Sequence, residues 1–383
     1  MTRESNHELL PKICTRNLLR RVSSIFVVCL IFISAFELGS SESKDVTPFS
    51  PAIHSRDSGL QGSNFTITGA RVKSIVFYSY YEAGPSQEES GNSNTAKDMA
   101  KRNLRFFIQH GVLGPNAPTP EDATIVFIIN GGHVSESIPK HLSHVHMLKR
   151  PNEGLEFCGV AEALKAFPGG YKYFFMLNSS VRGPFLPNYM PVKVPWTTSV
   201  YQMLNDKVKL SGVSINCECC ARGQAECIRA CYDEDGLKHV HVQSFFLVTD
   251  QVGLEIIRPA LGCHSNKVDA IYQGEVKISS RILAAGYNIA SMDKFWYGHD
   301  FTNATATETL CTAVSRGGAH NGDTQYAQSY FGMDHNPYEN MFVKVNRGEF
   351  PAYQLYTRWS QKTDSRPPCY SEEEITCAAN LRV

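Results

Sequence analysis

The chain has 383 residues, with 37 basic and 37 acidic side chains and 19% charged residues. That length can bury a full core, as one large α/β domain or two smaller ones. Zero net charge with no long run of one sign argues against nucleic acid as a partner.

Lys12, Arg16, Arg20 and Arg21 precede an apolar run from about Val22 to Phe36, which Leu38 and small flanking residues extend. A bilayer span takes about 20 residues. The expected layout is a cytoplasmic tail over 1–21, a signal-anchor helix in the lipid bilayer over 22–39, a luminal stem over 40–70 and a luminal domain over 71–383. The rival is a cleaved signal peptide and a secreted product. The long charged stretch and the poor cleavage site Phe36-Glu37-Leu38 weigh against it. Either way, the chain beyond about Ser40 enters the secretory lumen.

The elements follow in order. Residues 40–70 are rich in Ser, Gly and Pro without periodicity, as in a flexible stem. Asn64 lies there in a sequon and is expected to carry a glycan. Val72–Tyr80 reads as a strand, and Thr95–His110 as a helix stopped by Gly111. Ala123–Asn130 is a buried strand closed by Gly131-Gly132, and His144–Leu148 a short strand. Phe157–Phe167 is a helix and Tyr171–Leu177 the central strand. Asn178 is also in a sequon, but it closes that strand and is expected to stay unmodified. A helix near Thr198–Leu204, the strands Val208–Ile215 and Val240–Thr249, a helix over Lys267–Gly286 and the strand Asn288–Met292 complete the pattern. The remainder is irregular and aromatic, with a strand candidate at Met341–Val345. A third sequon is at Asn303. Strands alternating with helices imply a mainly parallel sheet with helices packed on it.

Ten of the twelve cysteines follow the anchor: Cys158, Cys217, Cys219, Cys220, Cys227, Cys231, Cys263, Cys311, Cys369 and Cys377. An even number in an oxidising compartment favours disulfides, whose pairing the sequence leaves open. Residues 217–236 form a Cys-rich insertion. Its spacing would suit zinc, but in the lumen the preferred reading is a loop stapled by disulfides. Asp233-Glu234-Asp235 matches an Asp-x-Asp pattern yet sits in that insertion, where an exposed acidic turn is preferred to a metal site.

Two segments carry the chemistry. Arg150-Pro-Asn152-Glu-Gly154-Leu-Glu156-Phe157-Cys-Gly159 leads a loop into a helix, and Leu177-Asn178-Ser179-Ser180-Val181-Arg182-Gly183-Pro184 follows the central strand. Ligands of open α/β sheets bind beyond the carboxyl ends of the strands. Gly154 and Gly159 allow close backbone approach, Asn152 and Glu156 offer hydrogen bonds to a base or ribose, and Arg150 can neutralise a phosphate. The same residues also suit a turn with a helix cap.

These segments belong to a longer series: Tyr80-Tyr81-Glu82, Arg102-Asn103-Leu104, Asn130-Gly131-Gly132, the two above, His241-Val242-Gln243-Ser244, Glu275 through Gly286-Tyr287, and Pro337-Tyr338-Glu339-x-x-Phe342-x-Lys344. In number and order, from about Val72 to Arg347, they resemble the rhamnan-synthesis-F-like glycosyltransferases and their eukaryotic relatives, of the GT-A type. The resemblance implies a GT-A-like mainly parallel sheet flanked by helices in a Golgi membrane protein of single-pass type II topology. It also implies a nucleoside diphosphate sugar as donor and a glycan or glycoconjugate acceptor. Golgi transferases often pair through their stems, which leaves a homodimer open.

Carried over onto this chain, Arg150, Asn152, Gly154, Glu156, Asn178, Ser180 and Arg182 hold the donor. Glu156 stands where the family has Asp. Glu275 is the first candidate to deprotonate the acceptor and Asp250 the second. His241, Gln243 and Trp296 line the acceptor side, with Trp296 stacking on a sugar or packing in the core. His299-Asp300 supply a late polar contact, and Glu339 pairs with Lys344. The relatives have Asn-Asp-Ser at the strand end, where a carboxylate holds Mn²⁺ or Mg²⁺. Ser179 replaces that Asp. Three readings stand: metal-independent transfer using Arg182 and helix dipoles, metal held by other carboxylates, or a non-catalytic glycan-binding or scaffolding relative.

Overall fold

The computed structural model describes residues 73–82, 93–191, 193–217, 240–316, 322–324, 326–345 and 350–364. The tail, anchor and stem expected over 1–70, the acidic turn at 233–235 and most of the Cys-rich insertion lie outside them. Among the described residues no helix is long and apolar enough to cross a membrane.

A seven-stranded sheet organises the domain. Its strands are β1 (Ser74–Tyr81), β2 (Ala123–Asn130), β3 (Val145–Arg150), β4 (Tyr173–Asn178), β6 (Val208–Gly212), β9 (Phe246–Asp250) and β10 (Asn288–Ser291), in the order β10-β6-β9-β4-β1-β2-β3. All neighbours run parallel except β9, which opposes both β4 and β6. Three two-residue pieces and Val343–Lys344 sit outside it: β5 (Val181–Arg182), β7 (Ile215–Asn216), β8 (His241–Val242) and β11, the last pairing with β5.

The apolar side chains of β1 and β2 alternate between two buried faces, as expected of a strand covered on both sides. Ile75, Phe77, Val126 and Ile128 pack under α2 (Leu155–Ala166) through Phe157 and Val160. Val76, Tyr78, Ile125 and Phe127 face the other layer, with Phe107 and Trp196, the latter opening α3 (Trp196–Tyr201).

Several boundaries differ from the sequence reading. The first helix, α1 (Ser93–Phe106), does not stop at Gly111 but continues as a π-helical stretch, Phe107–Val112. Gly111 is needed there because a Cβ would stand 2.9 Å from the Phe107 ring. The strands expected over Val208–Ile215 and Val240–Thr249 each break in two, which moves β7 and β8 into a separate ladder. The helical run before β10 contains α5 (Lys267–Asp269), a π-helical stretch Ala270–Val276 and α6 (Lys277–Ala284). Three helices were not expected: α4 (Gln251–Ile257), α7 (Ala304–Arg316) and α8 (Pro351–Asp364).

Two disulfides are described, Cys158–Cys263 and Cys217–Cys311. The second ties the start of the insertion to α7 rather than closing the insertion on itself.

Candidate functional site

Register places Asn178, Tyr81, Asn130 and Arg150 at one end of the sheet, the carboxyl ends of β4, β1, β2 and β3. Because β9 runs the other way, its amino end also lies here: Phe246 pairs with Leu177, and the Phe245 carbonyl accepts from the Asn178 N–H at 3.2 Å. β11, paired to β5, completes the rim.

Asn178 is the hub. Its Oδ1 accepts from the Ser180 N–H at 3.0 Å and from the Ser180 hydroxyl. Its Nδ2 donates to Glu156 Oε2 at 2.7 Å. Glu156, half-buried in the first turn of α2, also faces the Glu275 carboxylate, the Lys344 ammonium and the Ser244 hydroxyl. Glu275 Oε1 accepts from the Ser244 N–H at 2.7 Å. Burial first, and the negative charge of Glu275 second, push the Glu156 carboxyl up to about 7, against donors from Asn178 and Ser244 and the charge of Lys344. The structure thus gathers Glu156, Asn178, Ser180 and Glu275, drawn from three separate stretches of chain.

The other expected site residues are placed elsewhere or already engaged. Arg150 is buried, and its guanidinium is spent inside the protein. Nε donates to Glu162 Oε2 at 2.8 Å, Nη1 to Asn130 Oδ1 at 2.7 Å, and Nη2 to the Glu153 carbonyl at 2.7 Å and Glu162 Oε1 at 3.0 Å. It braces the loop into α2 instead of meeting a phosphate. Gly154 takes a left-handed conformation (φ 68°), and a Cβ there would stand 2.7 Å from Cys158 Sγ. Its glycine serves the disulfide rather than a ligand. Asn152 is exposed beside Gly131.

Arg182 is 1% exposed, and burial pulls it down to about 10. It donates to Asn103 Oδ1 at 2.9 Å and to the Thr357 hydroxyl at 2.9 Å. Asn103 in turn holds the Ser179 and Val345 carbonyls. Arg182 therefore supports the strand-end segment from beneath and cannot reach a diphosphate. The cation near the carboxylates is Lys344, which lies 5.2 Å from the Phe245 ring centre and does not pair with Glu339. Glu339 instead accepts from the Tyr330 hydroxyl at 3.0 Å and from the Lys294 N–H.

Asp250 pairs with Tyr173 at the amino end of β4, the far end of the sheet. Its carboxylate caps α4 through the Gly253 N–H at 2.8 Å and binds Lys209 Nζ at 2.8 Å, so it is a structural group. Gln243 is buried, its carbonyl taken by Ser214 and Thr324 and its amide by Asp323. His241 is buried opposite Asn216 in the β7–β8 ladder. Trp296 is 3% exposed and packs in the core with Phe295 and Phe301. Asp300 bonds locally to Thr302, and His299 to Thr307. Exposed aromatic surface lies instead at a cavity of about 170 Å³, where Tyr189, Tyr338 and Trp359 line the opening above the buried Phe185. No periodicity marks these rings, and the pairing of β5 with β11 brings two of their segments together.

The Asn178–Ser180 segment itself offers little to a divalent cation: Ser179 supplies no carboxylate, and Asn178 Oδ1 already serves Ser180. The carboxylates gathered with it are those of Glu156 and Glu275. Among the described residues, the single three-member cluster with metal-ligand spacing is Cys158, Glu162 and Cys263, whose sulfurs are joined in a disulfide.

No protein-family model matches the sequence, and no similar curated protein was found. The resemblance to the rhamnan-synthesis-F-like group therefore stays with its motifs. Solved structures with a similar arrangement include a mannosyltransferase of Pyrobaculum calidifontis in complex with GDP-Man and Mn²⁺, with TM-score 0.32 and 11% identity over 58% of this chain and 54% of that one. The chain thus spans about half the length of that enzyme. A nucleotide-diphospho-sugar transferase of Desulfovibrio desulfuricans matches with TM-score 0.30 and 12% identity over 63% of this chain and 95% of the other. A glycosyltransferase involved in the glycosylation of the major capsid of PBCV-1 matches with TM-score 0.23 and 11% identity over 49% of this chain and 64% of the other. Likeness this low leaves the functional argument to the residues at the strand ends.

Proposed function

We propose that the chain is a glycosyltransferase that moves a hexose or deoxyhexose from a nucleoside diphosphate sugar to a hydroxyl of a glycan or glycoconjugate. The layout of anchor, stem and luminal domain expected from the N-terminus belongs to the same proposal. The carrying observation is the Glu156–Glu275 pair beyond the end of β4, with Glu156 poised at about 7.

A general base works best with a pKa near the working pH. Glu156 takes the proton of the acceptor hydroxyl, while Glu275, held by the Ser244 N–H, keeps its proton affinity high. The acceptor oxygen bonds to the anomeric carbon as the bond to the diphosphate oxygen breaks. Lys344 is the cation placed to offset charge on the leaving diphosphate. Asn178 orients Glu156 and is itself fixed by Ser180. With Trp296 buried, the exposed rings of Tyr189 and Tyr338 are the surface on which an acceptor sugar stacks.

The test is transfer by the full-length chain from a panel of nucleoside diphosphate sugars, each with Mn²⁺ and with EDTA. Expected is turnover of one donor, unaffected by EDTA, with kcat/KM rising through about pH 7. Dependence on Mn²⁺ would overturn the metal-free step. Sugar binding without turnover on any donor and acceptor would favour a non-catalytic glycan-binding relative, the reading that Ser179 supports.

A further inference from the structure

Glu156 and Glu275 sit on different elements, and no strand pairing joins them. Ser244 bonds to both, and one further cluster ties their elements together. Cys158, two residues after Glu156, is bonded to Cys263 in the loop before α5. Next to it, the His264 N–H donates to the Gly154 carbonyl at 3.1 Å. The Phe157 ring lies so close to Gly274 that a Cβ there would stand 2.6 Å from it. Gly274 directly precedes Glu275. The start of α2 thus touches the π-helical stretch Ala270–Val276 through a ring contact, and it is tied to the Cys263–His264 loop before that stretch by a backbone hydrogen bond and a covalent bond. Of these ties, the covalent one is the one a thiol can break.

We infer that the Cys158–Cys263 disulfide is a reducible clamp that sets how closely the Glu156 and Glu275 carboxylates face one another. The inference rests on reading that pair as the acid–base centre, and it adds a means of regulating it. Like charges held together disfavour ionisation, and separation relieves them. The groups facing Glu156 are Glu275 on the π-helical stretch, Lys344 on β11, Asn178 at the end of β4 and Ser244 before β9. Of these, the disulfide's loop carries only Glu275 with it.

Cys263 is exposed and Cys158 is buried. A dithiol reductant can therefore attack at Cys263 Sγ. The attacking thiolate bonds to Cys263, and the Cys263–Cys158 bond breaks. Cys158 leaves as a thiolate beside the Arg150 guanidinium at 3.2 Å and the Glu162 carboxylate at 3.5 Å, then takes a proton from water. The second thiol of the reductant loses its proton, attacks the mixed disulfide to close a ring disulfide, and releases Cys263 as a thiolate that takes up a proton from water. The reductant is oxidised by two electrons and the cystine reduced by two.

The experiment titrates the side-chain carboxyl carbons of ¹³C-glutamate-labelled full-length chain, with the Glu156 signal assigned by its loss in Glu156→Gln. The double variant Cys158→Ala/Cys263→Ala should lower the Glu156 midpoint from about 7 by roughly one pH unit. The matched control Cys217→Ala/Cys311→Ala removes the other bridge and should leave the midpoint in place. Wild-type chain treated with a dithiol under native conditions, with its circular dichroism followed, supplies the same comparison should the variant fail to fold. An unmoved midpoint, or an equal shift in the control, overturns the clamp. The titration needs no sugar transfer. A shifted midpoint with no transfer on any donor therefore sinks the transferase reading and leaves the clamp standing, whereas transfer with an unmoved midpoint does the reverse.

Discussion

Glu82 and Glu156 both lie beyond the carboxyl ends of parallel strands, one after β1 and the other at the start of α2. Glu82 is 3% exposed, yet its Oε2 collects the Tyr80 hydroxyl at 2.9 Å, the Ser135 N–H at 2.9 Å and the Ser135 hydroxyl at 3.0 Å. Burial raises its carboxyl, but these donors outweigh burial and hold it below the ordinary value. Glu156 has Asn178 and Ser244 as donors and a second carboxylate as neighbour, and its carboxyl rises to about 7. Burial pushes both carboxyls up. At Glu82 the donors together overcome it, whereas at Glu156 two donors and Lys344 do not, and the charge of Glu275 adds to the burial.

The largest effect should come from Glu156→Gln, which keeps the shape and removes the proton acceptor. Transfer should fall by at least about 100-fold, within the range for loss of a general base. The same substitution reads out in stability. The unfolded chain titrates near 4.5 and the folded one near 7, so the folded state binds this proton more tightly. That contribution is fully present below pH 4.5 and is lost as pH rises through about 7, on the order of 3 kcal/mol. Denaturant unfolding across that window should slope downward with pH in wild type and flatten in Glu156→Gln. Next in size is Glu82→Gln, which should cost roughly 1–3 kcal/mol by leaving buried donors poorly matched. It should leave the pH dependence of transfer where it is; a shifted limb would mean that the two carboxylates share one site. Glu275→Gln should move the rising limb of kcat/KM to lower pH by roughly one unit, because the like charge beside Glu156 is gone.

The sheet was legible because its signals are local. Buried strands announce themselves as runs such as Ala123–Asn130, and the ends of β4 and β2 fall where Asn178 and Gly131 follow the apolar run. Glu156, Asn178, Ser180 and Glu275 were within reach for the same reason: position relative to a strand or helix end is written in the sequence. The cations were not. An arginine at a strand end reads alike whether it faces a phosphate or an internal carboxylate, and Arg150 and Arg182 both turned inward, to Glu162 and to Asn103. Gly154 looked like a ligand cradle but makes room for a sulfur bonded 105 residues away. Lys344 was paired with Glu339 by proximity in the chain, whereas the long-range ladder of β5 with β11 carries it to Glu156. Asp250 closes a strand like Asn178, but β9 runs backwards, and one reversed strand moved it to the opposite end.

The smallest effect separates orientation from chemistry. Ser180 holds Asn178 Oδ1 twice, through its N–H and through its hydroxyl, and only the hydroxyl is lost in Ser180→Ala. The remaining bond keeps the amide facing Glu156 most of the time. Net loss of one such hydrogen bond is about 1 kcal/mol, which corresponds to a rate reduction of about five-fold. Because Asn178 Nδ2 favours the ionised form of Glu156, looser seating should also move the rising limb slightly upward in pH, opposite to Glu275→Gln. A downward shift would mean that Asn178 does not favour the ionised form of Glu156.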